Sequence, residues 1–250
     1  MPFTFSHPAV VLPLISLPQR WRSATGLIVG SMAPDFEKFI RMSLHDPYSH
    51  TWPSIFYFNL PVGLLVCFIF HLIVRNTLID HLPYFLRKRF NRFKGFNWTS
   101  YFKKHWPVIV LSLLIGVISH LVWDAFTHKE GRGVRMFPAL LQPILPEPFT
   151  RSWFTFLQQV LSVIGGFVMA IFIYELPQEK RPLEKKSILV FWFMSGVIVC
   201  VVVALWVMAG GMLNRYYIFV AAISAGLLSL IILPFLIKIK EHLFSRSRTA

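Results

Sequence analysis

Two ionisable residues sit where hydrocarbon is expected. His120 and Asp124, in the stretch SHLVWDAFTH, lie four residues apart and so share one face of a helix. Charged groups inside an apolar run are costly and default to a functional reading. An imidazole beside a carboxylate suits zinc or a similar divalent ion, which takes His nitrogen and carboxylate oxygen. The plainer alternative is a structural His–Asp hydrogen bond tying helices together. His128 follows one turn later if the helix continues. Asp35 comes after GSMAP, where Pro34 interrupts the preceding helix and a tight turn can aim a carboxylate into a neighbouring site. It could equally cap the next turn, with Glu37 as a second acidic surface group. His50, in DPYSHTWPS, is a ligand candidate or an ordinary interfacial anchor beside Tyr48 and Trp52; His45 and Asp46 lie close enough to substitute for it. His7 opens a short apolar helix, followed by Pro8 at a favourable first helical position.

The elements that must carry these residues are membrane helices. The chain has 250 residues, 55% apolar and only 14% charged, with a mean hydropathy of +0.59. A soluble domain carries about 25% charge, so a soluble globule, a disordered tail and a coiled coil are excluded. Cys67 and Cys200 lie in apolar runs and offer neither a disulfide framework nor zinc-finger spacing. A span needs roughly 20 mostly apolar residues. Five stretches qualify: Ile55–Val74, Trp106–Phe126, Trp153–Tyr174, Ser187–Ala209 and Tyr216–Ile239. The stretch from Pro8 to Pro34 is broken by Pro13, Pro18 and the arginines Arg20 and Arg22, and reads as short interfacial or re-entrant helices. No basic n-region precedes it, so a cleaved signal peptide is not expected. The expectation is an all-α polytopic membrane protein, read as one membrane domain over 1–250. Residues 1–54 form an N-terminal motif region, 55–126 the first two spans with the His/Asp motif, and 153–239 three further spans.

Basic residues set the orientation. Arg75, Arg87, Lys88, Arg89, Arg92, Lys94, Lys103 and Lys104 follow the first span. Lys180, Arg181, Lys185 and Lys186 follow the third, and Lys238, Lys240, Arg246 and Arg248 end the chain. These stretches alternate correctly and read as cytoplasmic, which places the C-terminus in the cytoplasm. That orientation uses Lys and Arg alone, yet it puts His7, Asp35, His50, His120 and Asp124 on one, outward, face. His71, His81 and His105 fall on the cytoplasmic side as interfacial or solvated groups.

The segments MPFTFSHPAVVLPL, GSMAPDF, SHTWPS and SHLVWDAFTH together resemble a bacterial membrane-protein family of the DUF4184 type, catalogued as a domain of unknown function. The pattern is similar to YdjM-like inner-membrane proteins, described as predicted membrane-bound metal-dependent hydrolases. It more distantly resembles the N-terminal motif order of zinc-dependent phospholipases C. The resemblance covers roughly the first half of the chain and implies His7, Asp35, His50, His120 and Asp124 as ligands of a divalent metal, with Zn2+ expected. The chain departs from the pattern in carrying Ser-His at His50, with Thr51 after it, where relatives often show Thr-His-Ser.

Three function classes follow. The first is a metal-dependent hydrolase acting at the outer face, on a phosphoester of a lipid or envelope precursor. Glu130 or Asp46 could serve as its general base, and Arg132, Arg135 and Arg151 could hold a phosphate, although interfacial anchoring explains those arginines as well. The second is a transporter or ion-binding protein, against which stand the lack of an evident inverted repeat and the clustering of polar groups at one face. The third is a non-catalytic or assembly factor. Nucleic acid is not an expected partner: the basic, aromatic run Arg87–Lys94 adjoins a span, and anionic lipid headgroups are the simpler counterpart. The third to fifth spans read as scaffold or substrate channel, with Gly165, Gly166 and Gly226 suited to close helix packing. Oligomeric state leaves no mark in the sequence.

Overall fold

A computed structural model describes residues 3–144, 150–179 and 187–246. Among them five helices are long and apolar enough to cross a membrane: Ile55–His81, Trp98–Thr127, Trp153–Glu175, Ile188–Met208 and Arg215–Ile239. The protein is an all-α, multi-pass membrane protein. Numbering its helices in order, α1 is Ala24–Gly30, α2 Phe36–Arg41, α3 the span Ile55–His81, α4 Tyr84–Phe90 and α5 Trp98–Thr127. Then come α6, Arg132–Met136, α7, Trp153–Glu175, α8, Ile188–Met208, and α9, Arg215–Arg246. A 3-10 helix, Thr4–Ser16, precedes them all.

Two spans run longer than apolar length predicts. The α3 helix continues seven residues past Val74, and holds π-type turns at Ile55–Asn59 and Phe70–Val74. The α5 helix starts eight residues before Trp106, and its polar first turns break helical geometry at His105 (φ −127°, ψ 19°), just before Pro107. Proline lacks the N–H of its turn and crowds the preceding residues, which accounts for a kink at that point.

Packing sorts the chain into two compact units that interleave along the sequence. The first is Met1–Phe36, Pro47–Cys67 and Thr99–Glu175; the second is Glu37–Asp46, Phe68–Trp98 and Leu176–Ala250.

In the first unit α1 lies against the middle of α5 with almost no side chain between them. A Cβ on Gly26 would stand 2.9 Å from the Ile109 carbonyl oxygen, and one on Gly116 would stand 2.5 Å from the Leu27 oxygen and 2.6 Å from the Ser31 nitrogen. A Cβ on Gly30 would collide with the Leu113 backbone. Small residues allow this approach of backbones, which is how helices associate where lipid removes the hydrophobic drive. Ser23 caps α1 by accepting from the Gly26 N–H at 3.2 Å, and its own N–H donates to the Ser112 hydroxyl at 2.8 Å. Ala33, Ile55, Val117 and Leu121 close the apolar core beneath.

In the second unit α8 packs along α9, with a buried hydroxyl pair, Ser195 and Ser229, at 2.7 Å. Three arginines expected among lipid headgroups are buried here instead. Arg75 donates to the Phe96 carbonyl at 2.9 Å, Arg87 faces Asp80 at 3.7 Å, and Arg89 donates to the Phe85 carbonyl at 2.8 Å. Their planar heads satisfy backbone and carboxylate oxygens that would otherwise lie desolvated. Arg92, Lys103 and Lys104 remain exposed. The loop basics Lys180, Arg181, Lys185 and Lys186, and Arg248, lie outside the described residues. His71 and His81 are half-buried, His71 stacking on Trp98 at 4.3 Å and His81 on Phe191 at 4.3 Å. Glu37 is likewise buried rather than a surface group, 4.0 Å from Arg41.

Candidate metal centre

All five candidate ligands come together within the first unit. In one group, atoms of His7, Asp35 and His120 lie within 4.8 Å of one another; in a second, so do atoms of His50, His120 and Asp124. The shared member, His120, has its orientation set by backbone. Its Nδ1–H donates to the Ser31 carbonyl oxygen at 2.7 Å. Ser31 follows α1 directly, so this contact exists because Gly30 and Gly116 let α1 reach α5. With Nδ1 carrying the proton, a neutral imidazole presents its lone pair at Nε2. Fixing a histidine tautomer through its other nitrogen is the usual outer-shell arrangement around metal ligands.

That lone pair points at a carboxylate. His120 Nε2 stands 3.3 Å from Asp124 Oδ2, and His50 Nε2 stands 3.4 Å from the same oxygen and 3.6 Å from Asp35 Oδ1. On the other carboxylate oxygen, Oδ1, converge His7 Nε2 at 3.9 Å and His128 Nδ1 at 3.5 Å. Among the described residues neither Asp124 oxygen nor His120 Nε2 has a hydrogen-bond partner, although all three are buried. Two acceptors facing each other in a low-dielectric interior repel unless a proton or a cation lies between them.

The remaining ligand candidates are held from outside the cluster. The Thr4 hydroxyl donates to Asp35 Oδ2 at 2.7 Å, which leaves Oδ1 toward His50. His50 Nδ1 is 3.0 Å from the Ser49 hydroxyl. The Ser49 carbonyl accepts from the buried Asn59 amide at 2.9 Å and from the Ser54 hydroxyl at 2.6 Å, so the first turn of α3 anchors the loop that carries His50. The His7 ring packs on His120 with centroids 4.0 Å apart and meets Trp123 edge-on. Side chains of His7, Asp35, His120 and Asp124 are no more than 8% exposed, whereas His50 is 20% and His128 36% exposed, so these two bring the cluster to the surface.

Thr4, Ser31 and Gln158 had no signal in the sequence as parts of the site. Gln158 donates to the Thr127 carbonyl at 3.0 Å and lies 3.5 Å from His128 Nε2. His128 is a turn beyond Asp124, so continuation of α5 to Thr127 is what brings it in. Of the two residues weighed as a general base, Glu130 is exposed, 3.5 Å from Arg135, and Asp46, in the second unit, pairs with Lys38 at 3.1 Å. The arginines considered for phosphate are exposed. Arg132 lies over the Trp52 ring at 6.0 Å, and Arg151 donates to Gln159 at 2.8 Å.

Fold and site thus define a multi-pass helical membrane protein with a buried cluster of histidines and aspartates. The chain belongs to the family described as domain of unknown function DUF4184, whose model matches residues 1–236. No curated protein and no solved structure matches it.

Proposed function

We propose that the cluster is a divalent-metal centre, with zinc the expected ion, and that the protein is a membrane-bound metal-dependent hydrolase. Its substrate would be a phosphoester of a lipid or envelope precursor at the outer face of the bacterial inner membrane. The observation that carries the metal reading is the pair His120 Nε2 and Asp124 Oδ2. They are 3.3 Å apart, both buried and both acceptors once Ser31 holds Nδ1–H. A cation relieves that opposition and satisfies the buried carboxylate at the same time. The donor set, imidazole nitrogens and carboxylate oxygens with no thiolate, suits zinc, and also iron or manganese.

When bound, such an ion supplies Lewis acidity and acidifies water. The protein's own part is the positioning. His120 and Asp124 present their ligand atoms from one turn of α5, the N-terminal 3-10 helix brings His7, and Asp35 is held by Thr4. His50 and His128 are the partly exposed members of the cluster, where a substrate would meet it. The resemblance of the chain's motif order to YdjM-like proteins, and more distantly to zinc-dependent phospholipases C, is what favours hydrolysis as the chemistry. Basic-residue asymmetry supports an outward-facing site, a cytoplasmic C-terminus and contact of the exposed Arg92, Lys103 and Lys104 with anionic headgroups.

The test is elemental analysis of protein purified in detergent, wild type beside His120→Ala, followed by hydrolysis of phosphoester substrates by the metal-loaded protein. Stoichiometric metal lost in the variant is expected; equal metal in both removes the site. The burial of four of the five ligands favours one second reading, a structural metal in a non-catalytic membrane protein. Stoichiometric metal that no added water-soluble ligand can reach would select it.

A further inference from the structure

An apolar groove in the first unit lies on the middle of α7. Of about 440 Å3 and open to the side, it is lined by Phe3, Ser162, Val163, Gly166, Phe167 and Ala170. We propose that this groove seats an acyl chain of a membrane phospholipid whose headgroup lies toward the metal cluster. The inference rests on the hydrolase reading for what happens at the headgroup end, and makes the substrate a lipid held partly within the bilayer.

Three observations carry it. The first is continuity. Gln158, Ser162, Gly166 and Ala170 recur every four residues and so form one stripe along α7. Gln158, at the upper end, lies 3.5 Å from His128 of the cluster. Ser162 accepts the Phe3 N–H at 3.3 Å, and the next residue, Thr4, holds Asp35. Twelve residues of helix carry this stripe over roughly 18 Å, from the cluster's rim into the centre of the span.

The second is polarity. The stripe begins with an amide, passes a hydroxyl whose own hydrogen is donated to the Gln158 carbonyl at 2.7 Å, and ends in glycine and alanine, beside Phe167. That gradient matches an amphiphile with its head at the rim and its tail below.

The third is room. Its neighbour Gly165 packs against Ser6, where a Cβ would stand 2.8 Å from the carbonyl oxygen, but a Cβ on Gly166 meets nothing within 4 Å. Gly166 is therefore not a packing glycine, contrary to its expected role. It keeps the floor of the groove low. Ligand pockets commonly hold about 300–1,000 Å3, and Val163 and Phe167 beside Gly166 are exposed on a helix of spanning length, where lipid tails are the abundant occupant.

The experiment titrates delipidated protein in detergent with 1-palmitoyl-2-oleoyl-phosphatidylglycerol and counts bound lipid by native mass spectrometry, with zinc content read on the same samples. Wild type should take up one lipid, Gly166→Leu should need at least tenfold more lipid for equal occupancy, and both should hold equal zinc. Gly226→Leu, on another span and also in open space, should match wild type. Ala170→Phe, which fills the groove from its lower end, should repeat the Gly166→Leu result. Undiminished uptake by both groove variants overturns the proposal, as does equal loss in Gly226→Leu, which would mark unspecific annular lipid. A wild-type dimer dispersed by Gly166→Leu would assign the groove to a second copy and overturn it too. Wild type that binds lipid in the groove but never zinc would sink the hydrolase reading and leave the groove standing.

Discussion

Replacing Gly116 by alanine should weaken metal binding without any ligand being touched. An alanine in a helix is intrinsically favoured over glycine by about 1 kcal/mol, so propensity alone predicts a more stable protein. Contact geometry predicts the opposite at the site. The new Cβ would stand 2.5 Å from the Leu27 oxygen and 2.6 Å from the Ser31 nitrogen, both backbone atoms of α1 and its exit, whereas ordinary contact begins at 3.4 Å. The end of α1 must therefore retreat by about 1 Å, which carries the Ser31 carbonyl from 2.7 Å to about 3.6 Å from His120 Nδ1, past hydrogen-bonding distance. Loss of an outer-shell partner of this kind costs about 10–100-fold in metal affinity, or about 1.4–2.7 kcal/mol. Competition against a chromophoric zinc chelator, in detergent, measures the change, and gel filtration and far-UV circular dichroism check the fold. Gly226→Ala, where nothing lies within 4 Å of the new carbon, serves as the control. Wild-type zinc affinity in a folded Gly116→Ala protein would refute the reasoning that close helix packing sets the His120 tautomer.

Thr4→Val should remove the donor to the buried Asp35 oxygen and lower zinc affinity about tenfold, with a fall in thermal stability, since an unsatisfied buried acceptor costs about 1–3 kcal/mol; scanning fluorimetry with and without zinc separates the two effects. His71→Ala and His81→Ala should leave metal content unchanged while lowering the melting temperature, because each loses an aromatic stack in the second unit; metal loss in either would move the site. Reporter fusions after Lys94 and after Arg248 should be active only with a cytoplasmic reporter, and a periplasmic signal from either would reverse the orientation.

Helical periodicity and hydropathy made the larger features readable. An H-x-x-x-D pair in an apolar run places His120 and Asp124 on one face whatever surrounds them, and five apolar stretches of spanning length admit few other folds. The features missed are those that depend on backbone or on direction. The partner of His120 Nδ1 is a carbonyl, which every residue has, so nothing marks Ser31 in the sequence. Gly165 and Gly166 are adjacent and alike in type, yet one packs on Ser6 and the other opens a groove, because neighbours in a helix point about 100° apart. Arg75, Arg87 and Arg89 look like solvated loop charges, and only the fold of α3 and α4 shows the carbonyls and the carboxylate they meet. The start of α5 at Trp98 was invisible for a related reason: Thr99, Ser100, Lys103 and Lys104 are polar, and a helix that continues beyond the hydrocarbon leaves no hydropathy signal.

X-ray absorption at the zinc edge of the loaded protein tests the central claim most directly. The account predicts a first shell of nitrogen and oxygen at about 2.0–2.2 Å, with the outer-shell scattering of imidazole, and loss of that signal in His120→Ala. Absence of tightly bound metal in the wild type, or a shell of sulfur at about 2.3 Å, would contradict it.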